Sequence, residues 1–450
     1  MKHHVHGLGL LSRSQRMDNN PIQFAFQNWN VEYGWWAPNT VPADFVVNGV
    51  KQLPSTHDIQ WFDVGVFSSV EDQRIKAFSY PVVKNDFLYN WPGVWYTHLP
   101  DIVGEKKYIF PVCIRDTYYF KNQKATGFDL IDPRVMEDVQ AGRAKIVLVF
   151  PLEGTSADFT HEEDFITLHQ WCKKYNLNRD QVYYIHGNYK GNMLAQDLNF
   201  TYIPINSFYC WVPYIPPAIT EYTPVDDKSL FLSYNRRPRL HRTAFVCEAI
   251  RAGIFDKGLI SYYGNNEKNS FKVLKDHGRA DLEQEAAMLD SMIPLELDMD
   301  LGANNPAWNI VPEHYARTAL SVVPETLYGP HTNFFSEKTW KTIAVGHPFM
   351  MISSPGMLAE LRREGYYTFG SFWDESYDTM PGLYDRINAI VKELKRLSAL
   401  TPEQSRNMRE RMRPILEHNQ QLFRQQWVKR CQGHPDTQLY DIVKSIWDSF

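Results

Sequence analysis

Two stretches of this chain carry residues able to hold a negatively charged, hydroxyl-rich ligand. The first is "FLSYNRRPRLHR", 231 to 242, where Arg236, Arg237, Arg239 and Arg242 fall with His241 within seven residues. Four guanidinium groups so close repel one another unless an anion sits among them, and guanidinium matches phosphate oxygens two at a time. Ser233 and Asn235 add short hydrogen-bonding side chains to the same loop. The second stretch is "SEKTWKTIAVG", where Glu337 and Lys338 are adjacent. A carboxylate at Glu337 can accept two hydrogen bonds from a ribose diol, as the acidic residue of dinucleotide-binding folds does. Lys338 can neutralise a diphosphate as a point charge. Tyr328, in the preceding loop "ETLYGPHT", joins this set of binding candidates. The competing explanations are a solvated basic loop and a glutamate that only complements a helix dipole. Neither stretch is a Walker loop or a GxGxxG turn.

The elements around these residues put both stretches in the same kind of place. "SLFLS" predicts a buried strand and "ALSVVPE" a further strand. Each is followed by a helical pattern: "HRTAFVCEAIRAG", ending at Gly253, and "SEKTWKTIAVG", ending at Gly346. Glycine just past a helix favours the left-handed cap. "LISYYG", "PFMMIS" and "YYTFG" predict further strands, and "PGMLAELRREG" a helix with Pro355 early, where proline is tolerated, and Gly365 at its end. Upstream, "KIVLVF", "EEDFITLHQWCKKYN" and "QVYYIHGN" spell strand, helix, strand, which requires a parallel crossover. Residues 20 to 120 are aromatic and turn-rich and show little periodicity. "VPYIPPAITEYTPVDD" carries four prolines and predicts an interdomain linker. The expected organisation is α/β: an N-terminal domain 1–212, a linker 213–228, a ligand-binding domain 229–382 and C-terminal helices 383–450. Both domains are expected to be doubly wound and Rossmann-like and to face each other across a cleft, with ligands beyond the carboxyl ends of the strands.

Composition narrows the function classes. The net charge of -5 argues against a protein that lives by gripping duplex phosphate. Thirteen tryptophans offer either a bulky core or a surface that stacks on rings, the core being the usual use. Five scattered cysteines without a CxxC predict reduced thiols, no zinc site and a cytoplasmic protein. No signal peptide and no membrane span are expected.

"SEKTWKTIAVGHPFMM" resembles the C-terminal donor motif of the α1,3-fucosyltransferases, in which Glu-Lys, a helix and Gly-x-Pro recur. "FLSYNRRPRLHRTAFVCEAIRAG" resembles the strand, Ser-x-Asn, arginine and helix segment of the same family. The likeness covers roughly 231 to 370, and "RREGYYTFGSFWDESYD" has no counterpart in it. The chain also resembles phage-encoded glycosyltransferase-like proteins, which would place it in the host cytoplasm and leave the sugar open. The resemblance implies a GT-B fold, a nucleotide diphosphate sugar as co-substrate, no cofactor or obligatory metal, and inversion at the anomeric carbon. It implies that Arg237 or Arg239 binds the diphosphate, Glu337 the ribose and Lys338 the phosphate or sugar.

Displacement at an anomeric carbon needs a base for the acceptor hydroxyl, and a carboxylate across the cleft serves. Glu153 in "VLVFPLEGTSADF" follows a buried strand and resembles the family's Glu-Ser-Pro segment, with Gly154 and Thr155 in place of Ser-Pro. Asp158 and Asp86 are rivals. His186, Asn188 and Lys190 in "YYIHGNYKG" stand at another strand end and could meet the acceptor, a structural histidine being the alternative. Asp298 and Asp300 in "LDMD" imitate a DxD metal motif outside a strand-end context. Asp374, Glu375 and Asp378 in "WDESYD" suit helix capping. The expected partners are the sugar donor and a saccharide acceptor. The alternatives are a hydroxymethylated pyrimidine in phage DNA as acceptor, and a non-catalytic nucleotide or carbohydrate binder.

Overall fold

Apolar runs become parallel strands in two sheets. The computed structural model describes residues 22–26, 46–47, 50–51, 94–98, 104, 107–113, 133–150, 161–189, 197–205, 230–236, 238–263, 270–297, 310–329, 332–431 and 437–450. Lys190, Arg237, Asp86, Glu153, Asp158, Asp298, Asp300 and the linker 213–228 lie outside the described residues.

In chain order the first part holds β1 (Ile22–Phe26), the short antiparallel pair β2 (Val46–Val47) and β3 (Val50–Lys51), β4 (Val94–His98) and β5 (Tyr108–Cys113). Then come α1 (Pro133–Gln140), β6 (Ala144–Phe150), α2 (His161–Lys174), β7 (Val182–His186) and β8 (Thr201–Pro204). These build a six-stranded sheet in the order β4-β1-β5-β6-β7-β8, with parallel pairing throughout. Three of its strands come from the stretch whose sequence shows little periodicity. Ile146, Leu148, Val182 and Tyr184 bury one face against Val135 and Val139 of α1 and Phe165, Leu168 and Trp171 of α2.

The second part holds β9 (Phe231–Tyr234), α3 (Leu240–Arg251), β10 (Gly258–Ser261), α4 (Ser270–Lys275), α5 (Glu283–Met292), α6 (Pro312–Arg317) and β11 (Leu320–Pro324). It continues with α7 (Glu337–Ala344), β12 (Phe349–Ile352), α8 (Met357–Arg363), α9 (Leu383–Leu397), α10 (Pro402–Cys431) and α11 (Thr437–Asp448). Its sheet is four-stranded and parallel, in the order β10-β9-β11-β12. β10, β11 and β12 are buried at every position, which is why their sequences do not alternate. Gly253, Gly346 and Gly365 stop three helices with φ of 70°, 71° and 93°, a left-handed conformation glycine adopts without a Cβ clash.

The C-terminal helices are part of both halves. Ile387, Ile390 and Leu394 of α9 enter the second core. Beyond α10, Lys145 at the start of β6 donates to Ile446 O of α11 at 3.3 Å, and its ammonium lies 4.7 Å from the Phe450 ring. Burial pushes the Lys145 pKa down. Among the described residues no helix is long and apolar enough to cross a membrane.

"YYTFG" is irregular rather than a strand. Side chains satisfy its backbone: Tyr367 N donates to Asn419 Oδ1 at 2.8 Å and Phe369 N to Glu375 Oε1 at 2.7 Å. Those bonds leave the segment no ladder to join. Nearby, Asp378 accepts from Leu358 N at 3.1 Å and Ala359 N at 3.3 Å, so it caps α8 from outside the helix. The residue in the capping position, Gly356, has no side chain to do this. Asp378→Ala should lower stability by about 1 kcal/mol, the usual worth of such a cap. An unchanged urea midpoint would show that the cap contributes nothing.

Candidate functional site

β9 and β11 are adjacent and parallel, so the segments leaving their carboxyl ends start side by side. The arginine loop leaves β9 and the 325–336 segment leaves β11. α7 begins at the end of the second segment, where Ser336 caps it by accepting from Lys338 N at 3.3 Å.

Glu337 and Lys338 form a partly buried ion pair. Lys338 Nζ lies 2.6 Å from Glu337 Oε1, and the two side chains are 15% and 7% exposed. Burial works against the Glu337 charge, but Lys338 and Lys341 outweigh it and hold the carboxyl below its usual range. Lys338 Nζ also donates to Thr326 Oγ1 at 3.1 Å. An ammonium has three N–H donors. Two are used among the described residues, which leaves a third without a described partner.

Glu325, the first residue after β11, anchors this corner. It is wholly buried and accepts from Ser336 N at 3.0 Å and from Thr339 Oγ1. Burial pushes its carboxyl up, and the Lys338 charge and these hydrogen bonds oppose the rise. Its backbone oxygen accepts from His241 Nε2 at 2.8 Å and from an Arg242 Nη at 3.0 Å. A carbonyl can only accept, so His241 carries its proton on Nε2. Burial and the neighbouring Arg242 charge keep the imidazole neutral, its pKa well below normal. His241 and Arg242 therefore tie the start of α3 to the end of β11.

The other expected residues divide between the two loops. Asn235 is buried; its Nδ2 donates to Ser233 Oγ at 2.9 Å and Ser233 O at 3.3 Å, while its Oδ1 has no hydrogen-bond partner among the described residues. Arg236 is half-buried one residue further on. Arg239 occupies the capping position of α3 in extended backbone, and its side chain makes no cap hydrogen bond to the first turn. The Tyr328 ring lies 6.1 Å from His241, and its hydroxyl donates to Pro381 O at 3.4 Å. Ser233, Asn235, Arg236, Arg239, Tyr328, Glu337 and Lys338 thus all stand at the carboxyl edge of the second sheet.

His186 and Asn188 belong to the first sheet, at the carboxyl end of β7. Asn188 reaches across to the segment before α7, where its Oδ1 accepts from Asn333 N at 2.8 Å. Among the described residues no three His, Cys, Asp or Glu side chains are grouped to hold a metal ion.

The chain matches no protein-family model and no curated protein. Its residues alone therefore carry the reading.

Three neighbours of the pair escaped the sequence reading. Glu325 had one available signal, a carboxylate directly after a buried strand. Lys341 follows Lys338 by one helical turn and is 4% exposed, with its ammonium 5.6 Å from the Tyr234 ring. The Tyr234 hydroxyl sits 2.9 Å from His314 Nδ1. Lys341 sits on a helix that begins with charged residues, and nothing in its spacing marks it as buried.

Proposed function

We propose that the chain is a glycosyltransferase that takes its sugar from a nucleotide diphosphate sugar bound at the carboxyl edge of the second sheet, in a GT-B arrangement. The observation that carries this is the Lys338 ammonium: partly exposed at the start of α7, beside an ionised glutamate, with one donor unused among the described residues. The start of α3 and the arginines before it supply further positive potential a few residues from β9.

In this reading the ribose diol donates to Glu337 and the diphosphate lies against Lys338 and the arginine loop. The acceptor oxygen attacks the anomeric carbon as the bond from that carbon to the phosphate oxygen breaks. Negative charge grows on the leaving diphosphate, and Lys338 and the two helix starts are fixed positive groups aimed at it. They stabilise that charge without a metal. The proton of the acceptor hydroxyl goes to a carboxylate of the first domain. Glu153 is the proposed base; it follows β6, whose last residue pairs with His186 in the parallel ladder.

A thermal-shift panel with GDP, UDP, ADP, CMP and dTDP, each with and without Mg²⁺, tests the reading. A ligand that binds only the native state stabilises it by about 2.7 kcal/mol at a hundredfold excess over its Kd. The expected result is a higher Tm with one diphosphate, equal with and without Mg²⁺. No shift with any of the five would remove the reading.

A further inference from the structure

The two sheets meet at the loop that leads into α7. Asn333 N donates to Asn188 Oδ1 at 2.8 Å, and Tyr189 N donates to Asn333 O at 2.9 Å. Both backbone groups of Asn333 are thereby held by one turn of the first sheet, 145 residues away in sequence. Asn333 lies three residues before Ser336, the cap of α7. Tyr189 adds two contacts: its hydroxyl donates to Glu364 Oε1 at 2.9 Å, and its ring meets Phe335 edge-on at 5.7 Å.

The turn is itself braced from behind. Asn188 is wholly buried, and its N–H donates to His186 Nδ1 at 3.0 Å. The Tyr202 hydroxyl, from β8, donates to Asn188 O and lies 3.1 Å from His186 Nδ1. A residue fixed through its N–H, its carbonyl and its side-chain oxygen has little freedom, so its partner Asn333 is placed rather than merely touched.

We infer that Asn188 is a positioning residue for the start of α7, so that the Glu337–Lys338 site is built by both sheets together. This rests on the proposed function only in treating that pair as the ligand site. Coupling of this kind is reciprocal. A ligand that orders the start of α7 tightens the 186–189 turn as much as the turn tightens the ligand.

Hydrogen exchange followed by mass spectrometry on the full chain, without ligand, tests the inference in Asn188→Ala, Asn188→Asp and Tyr202→Phe. Asn188→Ala should make peptides covering 332–340 exchange about tenfold faster, the effect of losing roughly one buried hydrogen bond. Peptides covering β9 should be unchanged. Asn188→Asp keeps an acceptor oxygen and should restore most of the protection. Tyr202→Phe removes only the brace, so it should give a smaller rise in the same peptides. It also decides the matter where Asn188→Ala does not fold. Unchanged exchange at 332–340 in Asn188→Ala and Tyr202→Phe, or loss in Asn188→Asp equal to that in Asn188→Ala, would overturn the inference. Because no ligand is present, the outcome stands even where the five nucleotides leave the Tm unmoved.

Discussion

Lys338→Met should lower the stability of the protein by about 3 kcal/mol, because it strands a buried carboxylate. Glu337 is 5% exposed and held ionised, with Lys338 2.6 Å away. Removing one partner of such a pair leaves a charge with neither water nor a counter-ion. Lys341 still faces Glu337, which sets the expectation at the lower end of the range. The double variant Glu337→Gln with Lys338→Met should recover most of that loss, since both charges leave together. Urea unfolding of the two single variants and the double closes the cycle. Additive losses would show that the two residues do not interact. Ligand affinity should follow a different pattern: the nucleoside diphosphate that raises the Tm of the wild type should bind the stable double variant about a hundredfold more weakly, the worth of a charge-assisted hydrogen bond. Restored stability with undiminished affinity would leave the pair a structural device and remove it from the site.

Trp340→Ala should lower stability by about 4 kcal/mol, through the loss of a large buried side chain and the cavity it leaves. Trp340 is wholly buried on α7, with ring centroids of Phe335, Tyr366 and Phe423 at 5.3, 5.6 and 6.1 Å. These neighbours come from the loop before α7, the irregular segment after α8, and α10. The indole therefore holds α7 against three separate parts of the chain, and its removal loosens the helix that carries Glu337 and Lys338. Met288 of α5, 48% exposed, is the control, since Met288→Ala should change stability by no more than about 0.5 kcal/mol. A Trp340→Ala urea midpoint equal to that of the wild type would contradict the packing.

The second sheet was readable because its strands are buried on both faces. "SLFLS", "LISYYG", "ALSVVPE" and "PFMMIS" are mostly apolar and do not alternate, as suits a sheet covered on two sides. The helix carrying Glu337 and Lys338 was readable from the apolar spacing of Trp340, Ile343 and Ala344 and from the glycine at its end. β1, β4 and β5 were not readable. Their segment is crowded with aromatic and turn residues, and their pairing depends on neighbours far along the chain. "YYTFG" looks like a strand by composition, but Asn419 and Glu375 take its backbone bonds.

Residue type and spacing determined by themselves that this chain is α/β, that its strand-helix-strand units pair in parallel, and that an arginine loop and a Glu-Lys pair both follow strands. Those properties are local, written in periods of a few residues and in the residues that end helices. Tertiary structure alone decided that Glu325 is buried beneath the pair, that Lys341 turns inward to Tyr234, and that Asn188 of one sheet grips Asn333 before α7 of the other. Each of these joins groups from different elements. Burial and hydrogen bonding between distant segments depend on how those elements pack, and no short window of sequence contains both partners.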